Sequence, residues 1–291
     1  MDFRTDLAVE RIAVTGIENS KGIEKTVKNY GNSTVTCINV INSDGEKLIG
    51  KPKGKYITID VPSFSSDGEL LDGRLDGLID ELRLLLPEKG NVLIVGIGNR
   101  NMTADALGPV CADKIFVTHH IGKELASSLG FNDLRSVASV STGVLGMTGI
   151  ESFEIISGIV KKCDFDCVIA IDALAAMDIR RLGSTVQLSD SGISPGSGIG
   201  NKRSELSRNT LGVPVIAVGV PTVISAYTLA ENVMSELGLN ADMSKGDKFK
   251  EYIVASREAD IINDRASKLI ALALNSALQP NIDLSDLMML M

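Results

Sequence analysis

The chain has little of several things. Its four cysteines are spread over 291 residues, too few and too scattered for a disulfide framework, and a reducing cytoplasm fits them best. Cys163 and Cys167 stand close together in CDFDC. Without a second pair, and with the adjacent His119-His120 as the only two histidines, they do not make a structural zinc site and read as free core thiols. Basic residues are in deficit, 29 Lys and Arg against 37 Asp and Glu, and the net charge of -8 argues against nucleic acid or an anionic membrane as partner. A basic protein remains open as substrate. The longest apolar run, VPVIAVGVPTVI at 213–224, is too short to span a bilayer and is interrupted by Pro221. The opening MDFRTDLAVERIAV carries two Asp before any apolar run, so it is not a secretory signal. There is no internal repeat and no low-complexity segment.

What is present is α/β alternation. NVLIVGIG, CDFDCVIAIDALA and GVPVIAVGVP are short, apolar throughout and β-branched, as strands covered on both faces would be. GKYITIDVP places Ile57, Ile59 and Val61 on one face of a further strand. DGRLDGLIDELRLLLPEKG has helical spacing and stops at Pro87. TGIESFEIISGIVKK reads as a helix opened by a Thr148/Glu151 capping box. TVISAYTLAENVMSELG, ended by Gly238, and READIINDRASKLIALALNSAL supply two more. The expected fold class is α/β: a three-layer, doubly wound, parallel-rich sheet with helices on both faces. Residues 16–54 break the pattern as a small β excursion at one edge, with NSDG at 42–45 read as a hairpin turn.

The stretch VLIVGIGNRNMTADALGP at 92–109 has the outline of a phosphate-binding turn. A dinucleotide fingerprint needs a small residue three places after its second glycine, and Asn101 stands there instead. The same loop carries Asp105, whose carboxylate would repel a pyrophosphate at the helix N-terminus. Asp172 ends CVIAID, read as the last residue of its strand. Two acids at neighbouring strand ends can share a proton, one serving as base and the other as acid, and so hydrolyse an amide without metal or histidine. Helix or turn capping by each Asp is the competing assignment. Two glycine-rich loops fit an extended peptide at the same sheet edge. STGVLGMTGIE, with Gly143, Gly146 and Gly149, can offer backbone N–H groups to an oxyanion. SDSGISPGSGIGNKRSE contains Gly198 and is tipped by Lys202 and Arg203, which are candidates for recognising an acidic substrate side chain.

Several long motifs, in order, resemble the germination protease family. They are RTDLAVE at 4–10, VGIGNRNMTADALGP at 95–109, VTHH at 117–120, GMTGIE at 146–151, AIDALAA at 170–176, and PGSGIGNKR with LGVPVIAVGVPTV up to residue 223. The resemblance implies an atypical aspartate-dependent endopeptidase that degrades small acid-soluble spore proteins, with Asp105 and Asp172 matching the family's two critical aspartates. It also implies a core similar to hydrogenase-maturation endopeptidases, a zymogen, a homotetramer and a site in the cytoplasm of the forespore and spore core. Those maturation relatives bind a metal with acids and a His at the same sheet edge. This chain departs from that pattern, because its two histidines are adjacent and lie beyond the GIGN helix, so no cofactor or resident metal is expected. RTDLAVE is similar to the family's substrate site, so self-cleavage between Asp6 and Leu7 is expected. That cut would divide a propeptide, 1–6, from a single domain, 7–291. Two other readings stay open: a maturation-type protease that senses a bound metal, and a non-catalytic nucleotide- or peptide-binding module.

Overall fold

A computed structural model describes residues 5–16, 20, 22–122, 128, 133–200, 203–239 and 243–291. Its strands form one mixed sheet. Strands β1 (Ile23–Tyr30), β2 (Ser33–Val40), β3 (Gly54–Asp60), β4 (Val92–Ile97), β5 (Val137–Gly143), β6 (Cys167–Ala176), β7 (Thr185–Ser189) and β8 (Val215–Ser225) lie in the order β1-β2-β3-β7-β8-β6-β4-β5. A short strand β9 (Ile253–Ala255) pairs with the end of β8. The run β8-β6-β4-β5 is parallel, and the run from β1 to β8 is antiparallel throughout. The uninterrupted apolar character of VLIVGI and VIAVGV follows from this: every residue of β4 is buried, as in a strand with helices above and below.

Helices cover both faces. On one side pack α3 (Gly73–Leu85), α4 (Leu107–Ala112), α9 (Ala259–Leu278) and α10 (Leu284–Met289), against Ile57, Ile59, Ile94, Ile169 and Val218 of the sheet. On the other, α6 (Ser152–Cys163) covers Leu93, Val95 and Val168. On that second side α1 (Ala8–Thr15) and α2 (Ser43–Ile49) cover Ile38, Val40 and Tyr56. The remaining helices are α5 (Leu145–Thr148), α7 (Arg208–Leu211) and α8 (Ala226–Glu236). Helix α3 starts where Asp72 accepts the Arg74 amide at 3.0 Å, and it ends just before Pro87. The Arg74 side chain, 1% exposed, is held by Asp67 at 2.6 Å and Asp72 at 2.8 Å.

Some local expectations are corrected. NSDG is no hairpin turn: Asn42 caps α2 by accepting from Asp44 and Gly45 at 3.0 and 3.1 Å, and Asn is as good an N-cap as a turn former. The capping box of α6 lies three residues later than expected, between Glu151 and Glu154, because Thr148 belongs to α5. The TVIS run is the end of β8, paired with β9, and α8 begins after Ser225, which accepts from Thr228 at 3.1 Å. Pro221 does not end β8; it sits at a register shift against β6, where a missing N–H costs no ladder bond. Of the four free cysteines, Cys111 and Cys167 are buried and Cys37 is half-buried, but Cys163 is exposed at the end of α6 and is no core thiol. Among the described residues, no helix is long and apolar enough to cross a membrane.

Candidate active site

The chain leaves β4 for β5 on one side and β6 on the other, so the topological switch point lies between β4 and β6, where open α/β sheets place their sites. Both candidate aspartates are there. Asp105 lies on a 3-10 turn, Thr103–Asp105, just beyond β4. Asp172 is not the last residue of its strand, since β6 runs on to Ala176. What ends there is the partner: β4 pairs with β6 only as far as Gly96 and Ile171, so Asp172 stands where the sheet opens.

Three glycines let this geometry close. A Cβ on Gly96 would lie 2.6 Å from the Gly108 carbonyl carbon, and one on Gly108 would lie 2.6 Å from the Ile97 amide nitrogen. Gly98, at φ +119°, packs against the backbone of Asp105 itself. The glycines of the GIGN turn therefore bring α4 against β4, the service that glycine performs in a nucleotide fold, while the anion's place is taken by Asp105.

The turn is pinned from three sides. Asn99 donates its amide to Asp105 Oδ2 at 2.8 Å. Thr222 on β8 donates to the Ala104 carbonyl at 2.6 Å, and Asn263 on α9 donates to the Thr103 carbonyl. Thr222 and Asn263 were invisible as site residues in sequence, because they lie 118 and 160 positions from the atoms they hold.

The two carboxyls differ in environment. Asp172 is 4% exposed, and burial raises its pKa well above the ordinary carboxylate value, with further contributions from the charges of Asp105 and Asp6. Its Oδ1 accepts one hydrogen bond, from the Ala173 amide at 2.9 Å. Asp105 is half-buried; burial raises its pKa too, and the Asn99 amide opposes that rise. Burial thus favours the acid form of both carboxyls, and that of Asp172 more strongly.

A third acid reaches this edge. Asp6 donates its amide to the Ala175 carbonyl at 2.9 Å, and its carboxylate accepts from the Ala175 amide at 2.9 Å and the Ser197 hydroxyl at 2.8 Å. Gly198 closes the cradle; a Cβ there would lie 2.7 Å from the Asp6 carboxyl carbon. Leu7 is buried against Leu174 and Ala176. A cavity of about 350 Å³ opens beside this contact, lined among others by Asp6, Lys51, Leu174, Ser197 and Gly219.

The glycine loops occupy the same region, at different ranges. Gly143 ends β5 and Gly149 caps α5, both left-handed at φ +68° and +72°, while Gly146 has open space around it. The exposed α5 turn carries the apolar side chains Leu145, Met147 and Ile150. Arg203 donates to Glu151 at 3.2 Å and so ties the second loop to the first. Lys202 lies outside the described residues. The proposal that these cations read an acidic substrate side chain makes a definite expectation: replacing both by Gln raises KM for a glutamate-containing peptide more than for its glutamine analogue, in a steady-state comparison. Equal changes in the two KM values would remove them from recognition.

The histidines do not join the site. His119 donates its amide to the Val137 carbonyl at 2.9 Å, its ring meets Ser136 at 2.8 Å, and it packs 4.9 Å from the Phe165 ring. Val137 begins β5, so the imidazole lies at the amino edge of the parallel strands, opposite the aspartates. The carboxylate donors at the switch point therefore do not fit a metal site that needs a histidine. Among the described residues, no group of three or more His, Cys, Asp and Glu is placed to hold an ion.

Fold and site together define an α/β protein with two aspartates at the switch point of its parallel strands, one of them buried and with its pKa raised well above the ordinary carboxylate value. The model of the germination protease family matches residues 5–242, and the chain belongs to that family and is a peptidase. It is 38% identical to the germination protease of Clostridium perfringens, over 98% of each chain. With that of Clostridium acetobutylicum it shares 39% identity, over 98% of this chain and 97% of the relative. With that of Bacillus cereus it shares 40%, over 84% of this chain and 70% of the relative. Among solved structures, a NiFe hydrogenase maturation protease from Thermococcus kodakarensis is similar over 68% of this chain and 98% of its own, at 17% identity and a TM-score of 0.39.

Proposed function

We propose that the protein is an endopeptidase that begins the degradation of small acid-soluble spore proteins at germination, hydrolysing peptide bonds with Asp105 and Asp172. The observation that supports this best is the asymmetry of the pair. Burial, and after it the charge of Asp105, raises the Asp172 pKa well above the ordinary carboxylate value, while the Asp105 carboxylate accepts from the Asn99 amide. Asp105 then takes a proton from the attacking water, and Asp172 gives its proton to the leaving nitrogen. Family membership extends the proposal to a homotetramer acting in the spore core. Incubating the purified protein with a spore-protein extract and reading product termini by mass spectrometry tests it. New termini from small acid-soluble proteins are expected with wild type and none with the Asp105→Asn variant; equal product from both would refute it.

We further infer that the chain is made as a zymogen and processes itself between Asp6 and Leu7, within one molecule. In support, the Asp6 carboxylate is already seated on its own β6 and Ser197, close enough to Asp172 to raise its pKa. The expected rate of appearance of a Leu7 terminus is first order and does not change across a hundredfold dilution. A rate that falls in proportion to protein concentration would mean that one molecule cuts another.

A further inference from the structure

The carbonyl of Asp6, the one that would be attacked in that cut, already has a cationic donor. Lys51 lies in the short connection between α2 and β3, and its ammonium donates to the Asp6 carbonyl oxygen at 2.8 Å. The neighbouring carbonyl is held in the same way: Arg11 of α1 donates to the Thr5 carbonyl at 3.0 Å and is itself anchored on the carbonyls of Ile49 and Gly50 at 3.0 and 2.8 Å. The two cations thus grip the successive carbonyls of Thr5 and Asp6, and Asp6 and Lys51 line the cavity that also reaches Leu174 and Gly219.

We propose that Lys51 is a catalytic residue, the donor that stabilises the oxyanion formed on the residue preceding the cut, first on Asp6 and then on substrates. The proposal rests on the self-processing reading above. In the step, water oxygen bonds to the Asp6 carbonyl carbon and loses its proton to Asp105. The π electrons of the C=O bond move to the oxygen and are held by the Lys51 ammonium. Collapse restores the C=O bond and breaks the C–N bond to Leu7, whose nitrogen takes the proton of Asp172. The products are the Asp6 carboxylic acid and the Leu7 amine. The proton then held by Asp105 and the charge then held by Asp172 restore the starting pair on re-equilibration.

Physical chemistry favours this use of a lysine. Burial lowers the Lys51 pKa to about 8, against the opposing pull of the Asp6 carboxylate, and the Arg11 charge lowers it further. An ammonium that has already lost most of its hydration needs no rearrangement when negative charge develops beside it, which is the condition under which fixed donors contribute most. A purely structural lysine would tether the N-terminal segment and nothing more. Its loss would loosen that segment without touching the rate at which a seated bond is cut.

The test uses the full chain as wild type, Lys51→Met and Lys51→Ala, at mildly acidic pH. It reads the first-order rate of Leu7-terminus formation by mass spectrometry beside a thermal melt. Lys51→Met is expected to slow processing by about 10²–10³-fold, the usual loss on removing one oxyanion donor, while still melting cooperatively. Propylammonium ions should restore part of the rate to Lys51→Ala, and tetramethylammonium, which has no N–H, should not. Should Lys51→Met fail to fold, Lys51→Gln is read in the same way. A Lys51→Met rate within about threefold of wild type, in a wild type that does form the Leu7 terminus, would overturn this inference and leave the aspartate mechanism standing. Wild type that cuts spore proteins but keeps its Met1 terminus would overturn self-processing and this inference with it.

Discussion

Asp172→Asn is expected to lower peptide turnover by about 10²–10⁴-fold, the range for loss of a general acid. Asparagine keeps the shape, and its side-chain oxygen can still accept from the Ala173 amide, but it has no proton to give a leaving nitrogen. Asp105→Asn is expected to cost as much, through loss of the base. Because the two act on one proton path, the double variant should be hardly slower than either single one. Steady-state kinetics on a glutamate-containing peptide checks this. Retained turnover above about a tenth in either single variant would take that residue out of the chemistry.

The same substitution has a signature in stability, with its sign fixed by the direction of the pKa shift. The folded protein holds Asp172 in the acid form above the pH at which the unfolded chain ionises it. The stability this group contributes is fully present below its unfolded pKa and is lost as pH rises toward its folded pKa. The loss runs at about 1.4 kcal/mol per pH unit for one group. Asparagine cannot ionise in either state. Melting temperatures of Asp172→Asn relative to wild type should therefore climb with pH from about 4 upward, because the wild type alone carries the cost. A constant difference across that range would show that Asp172 ionises in the fold as it does in the unfolded chain.

Gly108→Ala is expected to cost more than about 4 kcal/mol, among the largest effects a single residue can have. The new methyl would meet the carbonyl oxygens of Ile97 and Ile171 as well as the Ile97 amide nitrogen at 2.6 Å, all of them backbone atoms in the two strands that flank the site. No side chain is there to swing aside, so either α4 moves outward or β4 and β6 separate. Both displace the turn that carries Asp105. Urea unfolding should show the midpoint falling sharply, with turnover lost in whatever fraction stays folded. A stability within about 1 kcal/mol of wild type would mean that the helix–strand approach is looser than described.

Much of this was legible in the sequence. The all-apolar runs marked β4, β6 and β8 as strands covered on both faces, and the GIGN turn with its acid pointed to the loop that the structure places at the switch point. The antiparallel half of the sheet was harder to see. β7 is the five-residue strand Thr185–Ser189, and its neighbours β3 and β8 are fixed by pairing, not by any pattern of its own. Where β6 ends also depended on a partner. Asp172 looks like a strand end because small residues follow it, yet those residues keep pairing with β8 after β4 has left. Asp6 stands out in the sequence through its RTDLAVE motif, which makes it the proposed cleavage residue, whereas Lys51 carried no signal. The contact that singles it out spans 45 positions and reaches a backbone carbonyl, which no side-chain motif records.

The most direct measurement is N-terminal mass analysis of the full-length protein held at mildly acidic pH, with Asp172→Asn beside it. Mild acid keeps one carboxyl of the pair protonated, as hydrolysis requires. The expected result is a terminus at Leu7 that accumulates in wild type and stays absent from the variant. A Leu7 terminus forming equally fast in Asp172→Asn would contradict an aspartate-driven hydrolysis at this site.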